Sequence, residues 1–506
     1  MGTQVLIAGG GPVGLAAAIE LGLRGVQTHV VEPRETVSHA RPRCKTINVR
    51  TMEHLRRWGI AQRLRERAPL SPDWSQDIVF CTSLAGHELS RFTGVLGLAA
   101  DGDRFPEVGQ QAPQYVLEEL LREVTAELPA CTLDLGARVV ETEDFGNRVL
   151  VTVADRGGHR TQVRADYVLG CDGPRSAVRD AIGSAYVGEH ALRPNFGIVF
   201  QAPALWSRVR HGPAVQYWIL NPQSPSLIGP IDRDGTWWMI AFGVDRETGE
   251  RDARRLIDGA VGASVPANVL SIDPWTARMQ LVDGARRGRV FLAGDAAHLN
   301  PPFGGHGLNT GIGDAVDLGW KLAAVLNGWG GDALLDSYEL ERRPVQTQVI
   351  AAAVANNRVG APELMAADLD AEGAAGDRAR ARAGATIQET KHAEFHALEL
   401  VLDVGVRDSP VVAPGSGGRL PHAWLDDGRS LYDALGPGMT LLVGDGAVPD
   451  PIVAAARERR VPLRVVRLPG RGAALTLVRP DQHIVWQGDA PPPDPRALID
   501  QIRGAP

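Results

Sequence analysis

Six glycines and three carboxylates of this chain stand at spacings that suit the handling of a dinucleotide. Gly9-Gly10-Gly11-Pro12-Val13-Gly14 forms a GxGxxG turn, and Glu32 follows Gly14 by eighteen residues. In such a turn Gly9 allows the tight bend, Gly11 lets backbone N–H groups approach a pyrophosphate, and Gly14 lets helix and strand pack closely. A carboxylate at Glu32 bonds ribose hydroxyls and selects a ribose without a 2′-phosphate. Downstream, Asp172 lies in Gly170-Cys171-Asp172-Gly173-Pro174-Arg175, and Gly294-Asp295 opens a segment that continues to Gly304, Gly305 and Gly307. Asp295 is placed to hold a sugar-chain hydroxyl, and the later glycines let bare backbone lie against a flat ring.

The elements that must position these residues are legible around them. Gln4 to Ala8 reads as a short buried strand and the Ala- and Leu-rich stretch to Arg24 as a helix, followed by a strand from Thr28 to Val31. Val290 to Ala293 reads as the strand that delivers Gly294 and Asp295. A helix from Asn309 to Asn327 points its first N–H groups at the ring, where its dipole stabilises negative charge. Gln114 opens another helix, with Leu117, Leu120, Leu121 and Val124 on one face.

Taken together and in order, the three motifs make the chain resemble the single-component FAD-dependent aromatic hydroxylases, the group of para-hydroxybenzoate hydroxylase, phenol hydroxylase and the polyketide hydroxylases of antibiotic pathways. The resemblance covers roughly the first 350 residues continuously. It implies an α/β fold: a Rossmann-type FAD-binding domain with an inserted antiparallel-sheet substrate domain, then a thioredoxin-like C-terminal domain. It also implies non-covalent FAD, NADPH or NADH as transient reductant, and hydroxylation of a phenolic or polyketide-type ring with O2 through a C4a-hydroperoxyflavin. Cofactor contacts are expected from Gly9, Gly11, Gly14, Glu32, Arg43, Gln114, Asp172, Gly294, Asp295, Gly304, Gly307, Leu308 and Asn309. Arg43 is expected near the pyrophosphate and the nicotinamide, Pro302 beside the flavin, and Leu308 with Asn309 at its pyrimidine edge through backbone groups. The same scaffold also supports Baeyer–Villiger oxygen insertion in some relatives, and a non-turning-over FAD-binding protein is the rival from another class.

The expected FAD-binding domain is discontinuous, 1–75, 100–185 and 275–360, with the substrate domain at 76–99 and 186–274. Within the insert, Val215–Ile219 and Thr236–Phe242 suit antiparallel strands. Their aromatic residues make Tyr217 and Trp238, with Phe303 of the glycine segment, the candidate substrate contacts, although alternation turns only half of a strand toward a pocket. Residues 361–395 are rich in Ala, Gly, Asp and Arg and read as a linker or exposed helical arm. Residues 396–506 read as β-α-β then a hairpin, thioredoxin-like but lacking CxxC.

Composition narrows the function classes. The 506 residues carry a net charge of −7 with 44% apolar and 22% charged residues, and the pI is about 6.0. That balance removes the electrostatic footprint of a nucleic-acid binder, and no apolar run approaches a membrane span. The four cysteines are far apart, which argues against a disulfide framework, a metal site or dithiol chemistry. A cytoplasmic setting and a small aromatic substrate are expected, with a homodimer as the possible assembly. Lysine occurs only at Lys45, Lys321 and Lys391, without the Trp-rich motif of a flavin halogenase.

Overall fold

The computed structural model describes residues 2–42, 45–97, 102–301, 303–357, 364, 367–468 and 473–505. The chain opens with the strand Gly2–Ala8, whose Val5 to Ala8 are wholly buried. Pro12 at the first helical position and the Ala-rich stretch behind it start the helix Pro12–Gly22. Gly2–Ala8 pairs in parallel with Thr28–Glu32 on one side and with Arg160–Gly170 on the other. Cys131–Leu135 and Val290–Leu292 extend this parallel sheet at its two sides.

The register of these strands brings the sequence motifs together. Ala8 lies opposite both Val31 and Gly170, and Gly170 lies opposite Leu292. Their carboxyl ends therefore share one edge, and the Gly9 turn, Glu32, Asp172 and Asp295 all leave the sheet there. Open parallel sheets bind ligands at this edge.

A second sheet runs His298–Leu299, Asn268–Val282, Tyr186–Gln201, Thr236–Phe242, Ser226–Pro230, Gln216–Ile219, Ile78–Cys81 and Glu88–Phe92. Except for the parallel pair Gln216–Ile219 and Ile78–Cys81, its neighbours are antiparallel. The strand Asn268–Val282 runs unbroken through residue 274, and its far end pairs with His298 and Leu299. One continuous strand thus joins the aromatic sheet to the segment that carries Asp295.

Within the stretch read as a linker or exposed helical arm, the described residues 373–395 are helical, with one face buried rather than exposed. Gly373–Phe395 is a helix with Ala379, Ala383, Ile387, Lys391 and Glu394 buried. Ala379, Ala383 and Ile387 share a core with Phe80, Phe92 and Trp218. A Cβ at Gly384 would meet the Leu89 carbonyl oxygen at 2.4 Å, so this helix lies directly on the edge strand. Small residues permit that approach, and the same small residues gave the segment its linker-like composition.

The C-terminal strands are ordered Leu463–Arg467, Met439–Val443, Leu475–Val478 and Ile484–Gly488, with helices Asp450–Glu458 and Pro495–Ile502. This is the thioredoxin-like arrangement. It is fastened to the rest by Arg479, wholly buried, which donates to Glu341 at 2.9 Å and Asp317 at 3.0 Å, while Asp481 of its own turn accepts from its Nε at 2.9 Å. Among the described residues no helix is long and apolar enough to cross a membrane.

Candidate active site

A cavity of 1440 Å³ opens between the two sheets. Gly9, Gly11, Glu32, Gln114, Asp172, Asp295, Gly304, Gly307 and Leu308 line one half, and Ile78, Trp218, Trp238, Met239, Phe242 and Phe395 line the other. Arg43 and Pro302 lie outside the described residues, as does the side chain of Phe303.

At the dinucleotide turn each glycine has a distinct task. A Cβ at Gly14 would sit 2.0 Å from the Gly9 carbonyl oxygen, so only glycine lets helix and turn close. Gly14 is a packing residue and does not line the cavity. Gly11 meets no protein atom within 4 Å of a Cβ, which leaves its backbone bare to the cavity. Gly10 donates its N–H to Glu32 Oε2 at 2.8 Å and thereby fixes the carboxylate beside the turn. The other oxygen, Oε1, accepts from Arg34 Nε at 2.6 Å.

Asp172 accepts from the Val178 N–H at 3.2 Å through Oδ2, while its Oδ1 is buried with no hydrogen-bond partner among the described residues. Burial pushes this carboxyl up. A buried acceptor without a donor is costly, and Asp172 borders this cavity, where a ligand hydroxyl or N–H would suit it.

The glycine segment reverses the chain through left-handed Gly304 (φ 77°) and Gly305 (φ 67°). The helix His306–Leu326 therefore starts three residues before the expected Asn309. His306, Gly307 and Leu308 bring its first turn to the cavity wall. Asn309 is set back: its Oδ1 accepts from Asn48 N–H at 3.0 Å and Thr51 Oγ1 at 2.8 Å, and its Nδ2 donates to the carbonyls of Thr46 at 2.9 Å and Gly305 at 2.7 Å. Its side chain ties the 46–51 segment to the helix start.

Gly294 is also behind the wall, and what holds it escaped the sequence reading. Its N–H donates to Asp314 Oδ2 at 3.2 Å, and the same carboxylate binds His298 Nε2 at 2.8 Å and accepts from Arg342 Nε at 2.8 Å and Gln346 Nε2 at 3.2 Å. Burial pushes the Asp314 carboxyl up, but Arg342 and His298 outweigh it and hold it at about 2. An aspartate inside the apolar helix His306–Leu326 was the available signal.

In the aromatic half, alternation decides which rings face the cavity. Trp218 and Trp238 line it. Tyr217 does not: it is wholly buried in the core beneath the sheet with Trp237, Ile257 and Val261, and its hydroxyl donates to the Gly212 carbonyl at 2.6 Å. The expected substrate contact at Tyr217 is thereby corrected, because a one-residue step along a strand changes face. Lys45 adds a cation 3.7 Å from the centre of the Trp238 ring.

These features fit FAD. Glu32 and the bare Gly11 backbone suit its ribose and pyrophosphate, Asp295 its ribityl chain, and the unpartnered Asp172 oxygen a further donor.

Comparison with known proteins agrees with this geometry. A model described as FAD binding domain matches residues 2–353, and one described as aromatic-ring hydroxylase, C-terminal, matches residues 413–506. The chain is 31% identical to tetracenomycin B2 monooxygenase-dioxygenase of Streptomyces olivaceus, over 98% of this chain and 97% of that protein. It is 30% identical to 2,4-dichlorophenol 6-monooxygenase of Cupriavidus pinatubonensis, over 97% and 94%. Its fold superposes on the rebeccamycin biosynthetic enzyme RebC with reduced flavin at a TM-score of 0.91, with 35% identity over 100% of this chain and 99% of that one.

Proposed function

The chain belongs to the FAD-binding aromatic-ring hydroxylase family and is an FAD-dependent monooxygenase of aromatic compounds; on that premise we propose that it uses NADH or NADPH and O2 to hydroxylate a phenolic or polyketide-type ring. The observation that carries the reading is that one cavity joins the dinucleotide edge of the parallel sheet to the aromatic face of the second sheet.

When bound, FAD supplies the electron relay and the activation of oxygen. The protein's residues supply placement. Glu32 takes the ribose hydroxyls, and Gly11 with the start of the helix Pro12–Gly22 takes the pyrophosphate. Asp295 holds the ribityl chain, while Asp172 and Gln114 line the path between. The first turn of the helix His306–Leu326 presents its N–H groups to the cavity and would hold the ring's carbonyl edge, where its dipole would favour negative charge. Trp218, Trp238 and Phe242 wall the other half, stacking an aromatic substrate and excluding water. Arg43 and Pro302 keep the roles that resemblance gives them, at the nicotinamide and the flavin.

Purified protein is expected to be yellow, with one FAD per chain. Anaerobic mixing with NADH and with NADPH identifies the reductant, and mass analysis of product formed under isotopically labelled O2 tests the transfer. A product without the label overturns the proposal.

A further inference from the structure

The buried lysines of this chain occupy two very different settings. Of 53 Lys and Arg residues only three are lysine. Lys321 donates to Glu341, whose two oxygens also accept from Arg479 and from Ser409. That carboxylate is saturated and does not line the cavity. Lys391 is 1% exposed, donates to Glu394 Oε2 at 2.7 Å and to the Asn356 carbonyl at 2.7 Å, and lies 4.8 Å from the centre of the Trp218 ring.

Glu394 is 5% exposed, yet it lines the cavity from the last turn of the helix Gly373–Phe395. Phe395 anchors that turn against Phe92, with ring centres 5.0 Å apart. The carboxylate therefore stands among Trp218, Phe242 and Phe395, on the aromatic side. The other carboxylate of this half among the described residues is Asp273, which pairs with Arg41 at 3.1 Å. Besides Lys391, the Gly304 N–H acts on Glu394, so the group also abuts the glycine segment. A carboxylate has about four acceptor sites; Lys391 Nζ fills one of them, and the side chain, 1% exposed, borders the cavity only by a narrow edge.

Stability gives no reason for this pair. A buried ion pair is often no better than apolar residues of similar volume, and the surrounding walls are apolar. Burial pushes the Glu394 carboxyl up despite Lys391, which makes it a readier proton acceptor than a surface carboxylate.

We propose, on the reading that this cavity oxygenates an aromatic ring, that Glu394 accepts a hydrogen bond from a phenolic O–H of the substrate and takes its proton. The O–H bond breaks, the proton joins a Glu394 oxygen, and the electron pair stays on the substrate oxygen, enriching the ring for oxygen transfer. When the ring rearomatises, its own carbon-bound proton leaves to water and Glu394 returns its proton to the heteroatom. Lys391 is a positioning residue that fixes the carboxylate. The substrate class is thereby narrowed to rings that carry such a donor.

The test titrates FAD-loaded wild type, E394Q and E394D with a panel of phenols, 2,4-dichlorophenol and aklavinone among them, each against its O-methyl ether, following the flavin absorbance. Wild type is expected to bind at least one phenol roughly tenfold or more tighter than its ether, and E394Q to lose that preference while keeping its FAD and its reduction by NAD(P)H. A wild type that distinguishes no phenol from its ether overturns the proposal, as does an E394Q that still does. If E394Q cannot hold FAD, E394D decides. FAD retained with weakened phenol preference supports the proposal, whereas FAD lost in both makes Glu394 a structural tie to Gly304. Colourless wild type would instead defeat the FAD reading itself.

Discussion

The two halves of the cavity are made by different means. On the parallel-sheet side the cavity is walled by backbone, a bare Gly11 and the first turn of a helix, and by carboxylates held by fixed partners such as the Gly10 N–H on Glu32. On the antiparallel side the ladder already occupies the backbone, so the wall consists of side chains from alternate strand positions. Backbone recognition tolerates little change at the residues that shape it, while a side-chain wall is replaceable one ring at a time. A scaffold built this way keeps its cofactor and changes its substrate.

That contrast is broken most directly at Gly14. Gly14→Ala drives a methyl group into the Gly9 carbonyl, and FAD content is expected to fall to nothing in the purified protein. Gly11→Ala makes the comparison sharp, since its Cβ meets only open cavity. Its apoprotein melting temperature is expected to match wild type while FAD affinity drops. Equal loss of stability in both variants would mean that Gly11 does not face the ligand.

Behind the wall, Asp314→Asn leaves Arg342 and His298 around a neutral group. Removing one partner of a buried charge pair costs about 3–5 kcal/mol, which urea unfolding measures, and the Gly294 turn is expected to loosen its hold on FAD. A change within 0.5 kcal/mol would show that the network does not support the turn.

A smaller, pH-dependent effect is expected from His306. Burial lowers its imidazole to about 4 from the ordinary 6.5. Between these values the unfolded chain binds the extra proton and the folded chain does not, so stability falls as pH drops through that window. Going from pH 7 to pH 5, apoprotein is expected to lose about 2 kcal/mol more than His306→Gln does. Parallel stability curves for the two proteins would contradict the burial of a neutral imidazole.

The legibility of the molecule follows the same division. Gly9, Gly11, Glu32, Asp172 and Asp295 were readable because backbone geometry restricts what can stand there, and the structure brings all five to one cavity. Asp314 was not readable as a site residue, because its partners lie 16 to 32 residues away in sequence and meet it only through packing. The helix Gly373–Phe395 hid its buried stripe, Ala379, Ala383, Ile387, Lys391 and Glu394, in a composition typical of linkers. The aromatic strands showed their alternation but not their facing, since both faces of this sheet are covered: one by the cavity, the other by the core containing Ile257 and Val261.

Tyr217 and Trp238 therefore offer the finest test of the comparison. Both are aromatic and almost fully buried, and both belong to the same sheet, in strands separated only by Ser226–Pro230. Tyr217→Phe removes the hydrogen bond to Gly212 and leaves a half-buried carbonyl short of one donor. That costs about 1 kcal/mol, seen as a lower urea midpoint, with phenol binding unchanged. Trp238→Phe keeps a ring against Lys45 but trims the cavity wall, and its effect should fall on phenol binding at constant FAD content. If Tyr217→Phe weakened phenol binding while Trp238→Phe did not, the assignment of faces would be reversed. The substrate would then lie on the opposite side of the sheet, away from Asp295 and the glycine segment.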